Sequence, residues 1–139
     1  MYNIYIDGIF DLFHAGHITT LKYIKNMRDD VCLLVGLIND IDASKYKRQP
    51  VINQNNRYLM LESCKYVDKI IKNAPLIVTE NFINNNNIDL VVHGYVNKED
   101  EEKQDSFFKI PKHLNKYKTI PYSYIESTTS IINKIKDNY

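Results

Sequence analysis

Residues 31–37 form an unbroken apolar run, Val-Cys-Leu-Leu-Val-Gly-Leu, that reaches polar residues only at Asn39-Asp40. A strand apolar on both sides has no face to offer to water, so it belongs inside a parallel sheet covered by helices above and below. The rest of the chain supplies the partners in alternation. Residues 2–6 read as a first strand, and Ile18, Leu21 and Ile24, with Tyr23 and Met27, recur at helical spacing after it. Asn53 is a cap for a helix holding Arg57, Leu59, Met60 and Leu61, and residues 67–71 read as a third strand. Thr79 caps a short helix near Phe82, residues 89–92 form a fourth strand, and residues 119–122 a last one. Ser127-Thr128-Thr129 then caps a helix carrying Ile131, Ile132 and Ile135. This alternation predicts an α/β fold, a doubly wound parallel sheet in one domain over residues 1–139. Three stretches read as irregular: the polar loop bearing Lys45, Lys47 and Arg48 up to Pro50, the charge-rich residues 98–105, and residues 107–114, where Pro111 limits any helix.

Composition narrows the partners. A formal net charge of +1 gives no long-range field for nucleic acid, and no run of 18 apolar residues is present to cross a membrane. There is no basic-then-apolar leader, and two cysteines, Cys32 and Cys64, do not make a disulfide framework, so a cytoplasmic protein is expected.

The chemistry concentrates between the first strand and the first helix, in Asp7-Gly8-Ile9-Phe10-Asp11-Leu12-Phe13-His14-Ala15-Gly16-His17. Free N–H groups and the positive end of a helix dipole collect there, and Gly16 lets the main chain approach a ligand, so the turn suits phosphate. Doubly wound sheets bind ligands at the carboxyl ends of their strands, where strand order reverses. The His14 to His17 turn, the basic loop after Leu37 and His93-Gly94 after the fourth strand all fall on that edge. The Ser127-Thr128-Thr129 cap adds a second helix N-terminus of the same anion-binding character.

Gly8-x-Phe10-Asp11-x-x-His14-x-Gly16-His17 resembles the signature of the cytidylyltransferases that make CDP-choline, CDP-ethanolamine and CDP-glycerol, within the His-x-Gly-His nucleotidyltransferases. The resemblance implies a Rossmann-like fold and transfer of CMP from CTP to a phosphomonoester, with Mg2+ accompanying the CTP and no protein metal ligands assigned. It further implies that His14 and His17 stabilise the triphosphate and that Lys47, on a mobile loop, reaches both reacting phosphates. Gly8, Ile9, Phe10, Asp11, Ala15, Gly16, Arg57, His93, Gly94, Tyr95, Ser127, Thr128 and Thr129 become the nucleotide-contacting set. Cys64-Lys65-Tyr66-Val67-Asp68 is similar to the family's dimer-contact segment, which implies a homodimer or a tandem sister domain.

Two features select the acceptor. Leu76 stands where choline enzymes carry tryptophan and ethanolamine enzymes tyrosine, and leucine supplies no cation–π attraction for a quaternary ammonium. His93-Gly94 resembles the ethanolamine type, so phosphoethanolamine leads over phosphocholine, and the activity falls in phospholipid biosynthesis. The main departures are Tyr122 in place of an arginine in the C-terminal motif, and Arg48 where glycine follows the loop lysine. The nearest resemblance is to the second repeat of ethanolamine-phosphate cytidylyltransferases, and a CTP-binding repeat with little turnover, paired with an active sister domain, is the competing expectation. The Ile-Ser-x-Thr-x-x-Arg string of adenylyltransferases and the Lys-Met-Ser-Lys-Ser loop of aminoacyl-tRNA synthetases do not occur.

Overall fold

The computed structural model describes residues 1–123 and 126–139. Its strands are β1 (Tyr2–Gly8), β2 (Val31–Leu37), β3 (Lys69–Lys72), β4 (Leu90–His93) and β5 (Tyr117–Thr119). They form one five-stranded sheet in the order β3-β2-β1-β4-β5, with every neighbouring pair parallel. Strand order reverses at β1, so the crevice beside its carboxyl end lies between segments leaving β1 and β4.

Helices α1 (Ala15–Lys25) and α3 (Gln54–Glu62) cover one face of the sheet, and α4 (Glu80–Asn85) covers the other. The two-residue period of β1 builds both cores at once. Ile4 and Ile6 pack with Leu21, Ile24, Leu33, Val35 and Leu61, whereas Tyr5 packs with Leu34, Val91, Ile83 and Phe108. Among the described residues Arg57 is the largest fully buried side chain, held beneath the sheet's carboxyl edge.

Much of the three stretches expected to be irregular is helical, while residues 47–50 keep the expected loop. Residues 40–46 form α2 (Asp40–Tyr46), capped by the Asn39 side chain, which accepts from the Asp42 amide at 2.8 Å. Residues 98–104 form α5 (Lys98–Gln104), capped by Asn97, with Glu99, Asp100 and Glu101 in its first turn and Lys103 in its last. That charge order suits the helix dipole. Neither segment shows apolar periodicity because each buries a single residue, Ala43 in one and Gln104 in the other. Pro111 sits in the first turn of α6 (Lys109–His113), where its missing N–H has no intrahelical partner to lose. The last strand ends at Thr119 rather than beginning there. Helix α7 (Thr128–Asn138) starts at the expected Ser127 cap, while Tyr124 and Ile125 of the altered C-terminal motif lie outside the described residues.

Candidate active site

The β1–α1 turn is shaped by one carboxylate. Phe10 and Leu12 adopt left-handed backbone conformations, with φ of 54° and 49°, which costs about 1–3 kcal/mol apiece for such residues. Between them, buried Asp11 accepts from the amides of Leu12 at 3.0 Å, Val51 at 2.7 Å and Ile52 at 2.9 Å. The turn is thereby tied to the chain some forty residues on, just beyond α2. Gly16 is required by close approach: a Cβ there would stand 2.5 Å from the Glu126 carbonyl and 2.9 Å from the His14 ring.

The two histidines cap α1 and face the cleft together. His14 Nδ1 accepts from the Gly16 amide at 3.1 Å, and His17 Nδ1 accepts from the His14 amide at 3.2 Å. An amide can only donate, so both Nδ1 atoms are bare and both rings carry their proton on Nε2. His14 Nε2 lies 3.4 Å from Thr128 Oγ1, whose own proton goes to the Asp11 carbonyl at 3.0 Å. The rings stack with centroids 3.8 Å apart. Burial, then the neighbouring His14 and Lys47, lowers the His17 pKa to about 3, and burial also lowers that of His14. Both are therefore neutral Nε2–H donors near pH 7.

Around them opens a cleft of about 600 Å³. One lip carries Lys47, the C-cap of α2, and Arg48, whose guanidinium lies 3.4 Å from Thr129 Oγ1 on the opposite lip. The N-terminus of α7 forms that opposite lip, with the Ser127 hydroxyl already accepting from the Ser130 amide. The floor is Asp7 and His93, at the ends of β1 and β4, with Asp7 Oδ1 and His93 Nδ1 3.7 Å apart. Burial lifts the Asp7 pKa to about 7 against the pull of Lys47. Burial and Lys47 together lower that of His93 to about 4.

The fold thus brings Gly8, Ile9, Phe10, Asp11, His14, Gly16, His17, Lys47, His93, Gly94, Ser127, Thr128 and Thr129 to one cleft. Lys47 is the C-cap of α2, at the head of the non-helical segment that runs to Pro50, and Lys45 points away to pair with Asp42 at 3.1 Å. Ala15 is exposed at the start of α1, outside the cleft. Tyr95 lies behind it, against the His93 ring and hydrogen-bonded to the Tyr117 hydroxyl. Arg57 lies beneath it. Four of its N–H groups donate to the carbonyls of Ile52, Ile9 and Ile38 and to Asp40 Oδ1, at 2.6–2.9 Å.

Sequence reasoning missed the wall contributed by α5, where Asp100, Lys103 and Gln104 line the cleft. The Asn97-x-x-Asp100 cap was the available signal. It also passed over Tyr46 and assigned no binding role to Asp7. Among the described residues no group of three His, Cys, Asp or Glu side chains is placed to hold a metal ion, and Asp11 is committed to backbone amides.

The family model described as Cytidylyltransferase-like matches residues 5–134. The chain is 36% identical to ethanolamine-phosphate cytidylyltransferase of Arabidopsis thaliana, over 98% of its own length and 33% of that protein's. It is 37% identical to the Dictyostelium discoideum protein of the same name, over 97% of its length and 38% of the relative's. Identity to choline-phosphate cytidylyltransferase 2 of Arabidopsis thaliana is 34%, over 98% and 45%. The chain therefore spans a third to under half of these curated relatives. Among solved structures, the lipopolysaccharide core biosynthesis protein from Thermoplasma volcanium GSS1 superposes with a TM-score of 0.69 at 28% identity, covering 91% of this chain and 99% of that one. A family model spanning nearly all of the sheet and its helices, on a chain whose histidine turn and second helix terminus meet at the switch point, makes this chain a member of the cytidylyltransferase-like family.

Proposed function

We propose that the chain transfers CMP from CTP to phosphoethanolamine, yielding CDP-ethanolamine and pyrophosphate for phospholipid synthesis. The observation that carries this reading is the convergence of two neutral imidazole Nε2–H groups, the α7 N-terminus and Lys47 on one cleft. In the reaction a phosphate oxygen of the acceptor forms a bond to the α-phosphorus. The bond to the bridging oxygen breaks, and pyrophosphate leaves with that electron pair. Charge grows on equatorial and leaving oxygens, so fixed donors rather than a protein nucleophile are needed. Neutral imidazoles supply N–H donors without proton transfer, and Lys47 supplies the mobile point charge. Magnesium accompanying the CTP would shield the triphosphate charge, and phosphate oxygens and water would hold it, since among the described residues no group of three His, Cys, Asp or Glu side chains is placed to do so.

The acceptor end of the cleft favours a small ammonium. Asp7 is 8% exposed and provides a carboxylate at the floor. Leu76 packs with Ile9 and Tyr46 on the small apolar cluster of Ile38, Ala43 and Ala74 and contributes no aromatic face. Arg48 bears on the alternative of a binding repeat with little turnover, which the absence of arginine at position 122 favours. A cation beside a helix N-terminus is electrostatically unfavourable unless an anion lies between them. The Arg48 contact to Thr129 supplies a guanidinium at that terminus from the other lip, which supports turnover.

A second cytidylyltransferase-like unit, as a second copy or a sister domain, belongs to this reading through residues 64–68. A cytoplasmic setting belongs to it as well; among the described residues no helix is long and apolar enough to cross a membrane. The test incubates purified protein with CTP, magnesium and phosphoethanolamine or phosphocholine, following pyrophosphate and CTP binding. Pyrophosphate formed faster with phosphoethanolamine is expected. CTP binding without pyrophosphate selects the binding repeat, faster reaction with phosphocholine overturns the acceptor, and preference for ATP overturns the nucleotide.

A further inference from the structure

Arg48 is exposed at the mouth of the cleft, and its Nη1 reaches 3.4 Å from Thr129 Oγ1 on the opposite lip. Among the described residues it forms an ion pair with no carboxylate. The cleft is not short of carboxylates, because Asp7, Asp11, Asp100 and Glu126 all line it. They are engaged elsewhere. Asp11 accepts from backbone amides, and Asp100 accepts from the Val96 amide and the Gln104 side chain. Glu126 accepts from the Ser130 hydroxyl and the Ser127 amide, and Asp7 lies on the floor. A planar fork of N–H donors is thus left at the mouth without an anion.

The chain on either side of Arg48 is tethered. The Lys47 amide donates to the Ala43 carbonyl at 3.0 Å, and the Val51 amide donates to the Asp11 carboxylate at 2.7 Å. The Asp11 carbonyl in turn accepts from the Thr128 hydroxyl at 3.0 Å. One residue therefore anchors both lips, with its carboxylate holding the Arg48 side and its carbonyl holding the start of α7. Across the gap, the Ser130 amide is taken by the Ser127 hydroxyl and the Ile131 amide by the Ser127 carbonyl. Among the described residues the Thr128 and Thr129 amides have no such partner and are left for a ligand. Guanidinium and helix N-terminus repel one another unless an anion lies between them.

The direction of the reaction says which anion. With the acceptor at the floor beside Asp7, in-line displacement sends the leaving group the opposite way, toward the mouth. We propose that Arg48 and the N-terminus of α7 clasp the leaving pyrophosphate, the guanidinium gripping it from one lip and the α7 amides from the other. This deepens the CMP-transfer reading and rests on it. Adjacent cations then divide the work: Lys47 serves the reacting phosphates, and Arg48 serves the two that depart. A ligand that lacks those two phosphates has nothing for Arg48 to hold.

The experiment titrates inorganic pyrophosphate, CTP and CMP, each with magnesium, into wild type, Arg48→Ala, Arg48→Lys and Lys45→Ala by calorimetry. Arg48→Ala should weaken pyrophosphate and CTP roughly ten- to hundred-fold and leave CMP within two-fold. Arg48→Lys, which keeps the charge and loses the fork, should fall between alanine and wild type. Lys45→Ala removes an equal charge from the same side without facing the cleft, and should change none of the three affinities. An exposed side chain with one long contact does not carry the fold, so the urea midpoint of Arg48→Ala should match that of wild type. Unchanged pyrophosphate affinity in Arg48→Ala, an equal loss for CMP, or an equal loss in Lys45→Ala overturns the clasp. ATP bound as well as CTP, with Arg48 needed for both, refutes the cytidine reading and leaves the clasp standing.

Discussion

Replacing Arg57 by lysine separates a brace from a ligand contact. The guanidinium makes four hydrogen bonds, three to the carbonyls of Ile9, Ile38 and Ile52 and one to Asp40, with its side chain fully buried. Those carbonyls belong to the segments following β1, β2 and α2, so one side chain fastens the three strips of backbone that frame the cleft. Lysine keeps the charge but offers three donors from a single point instead of a planar fork. At least one of the four acceptors is then unsatisfied, at roughly 1–3 kcal/mol each. A net loss of about 2–4 kcal/mol is expected, since Asp40 is 37% exposed on its side chain and water can share its cost. With domain stabilities of roughly 5–15 kcal/mol the variant still folds, and at a slope near 2 kcal/mol per molar its urea midpoint falls by about 1–2 M. CTP affinity, measured by calorimetry well below that midpoint, should weaken only a few-fold, because no Arg57 atom lines the cleft. A hundred-fold loss of CTP affinity with an unchanged urea midpoint would refute the brace and make Arg57 a nucleotide contact.

Asp7→Asn carries a pH signature. Because the folded carboxyl titrates near 7 and the unfolded one near 3.8, the native state holds the extra proton between those values, and its stability falls as pH rises through that window. The variant should therefore gain stability over wild type at pH 8 and almost none near pH 4, read from paired urea titrations; an equal gain at both would show that burial of the ionised carboxylate is not the cause. His17→Ala removes one Nε2–H donor and half of the α1 cap: turnover should drop roughly 10²–10³-fold and stability about 1 kcal/mol. Unchanged pyrophosphate release would remove His17 from the mechanism. Tyr5 is fully buried with its hydroxyl unpartnered, so Tyr5→Phe should raise stability by about 1 kcal/mol, seen as a thermal midpoint roughly 3–6 °C higher. A lower midpoint would mean the hydroxyl is satisfied.

What could be read from the sequence divides along a physical line. The strands and the α1 turn were legible because their determinants are local: an apolar run has to be buried, and a strand followed directly by His-x-Gly-His and a helical period leaves the histidines at a helix terminus. Arg57 was not legible, because whether an arginine is a surface cation or a buried clamp depends on carbonyls that the fold brings from 48 and 19 residues away. Asp11 illustrates the same limit, since its motif position was visible but its hold on Val51 and Ile52 was not. The α5 wall failed for a different reason. Apolar periodicity detects a helix through the greasy stripe it buries, and α5 buries only an amide. Its attachment is polar, through Asn97 at the cap and Gln104 at the wall, so nothing in its hydropathy separates it from a solvated loop. Cleft walls are prone to this blindness. A helix that turns hydrogen-bonding groups toward a cleft has to forgo the apolar stripe by which helices are recognised, so the polar wall of a site is the part that patterning conceals.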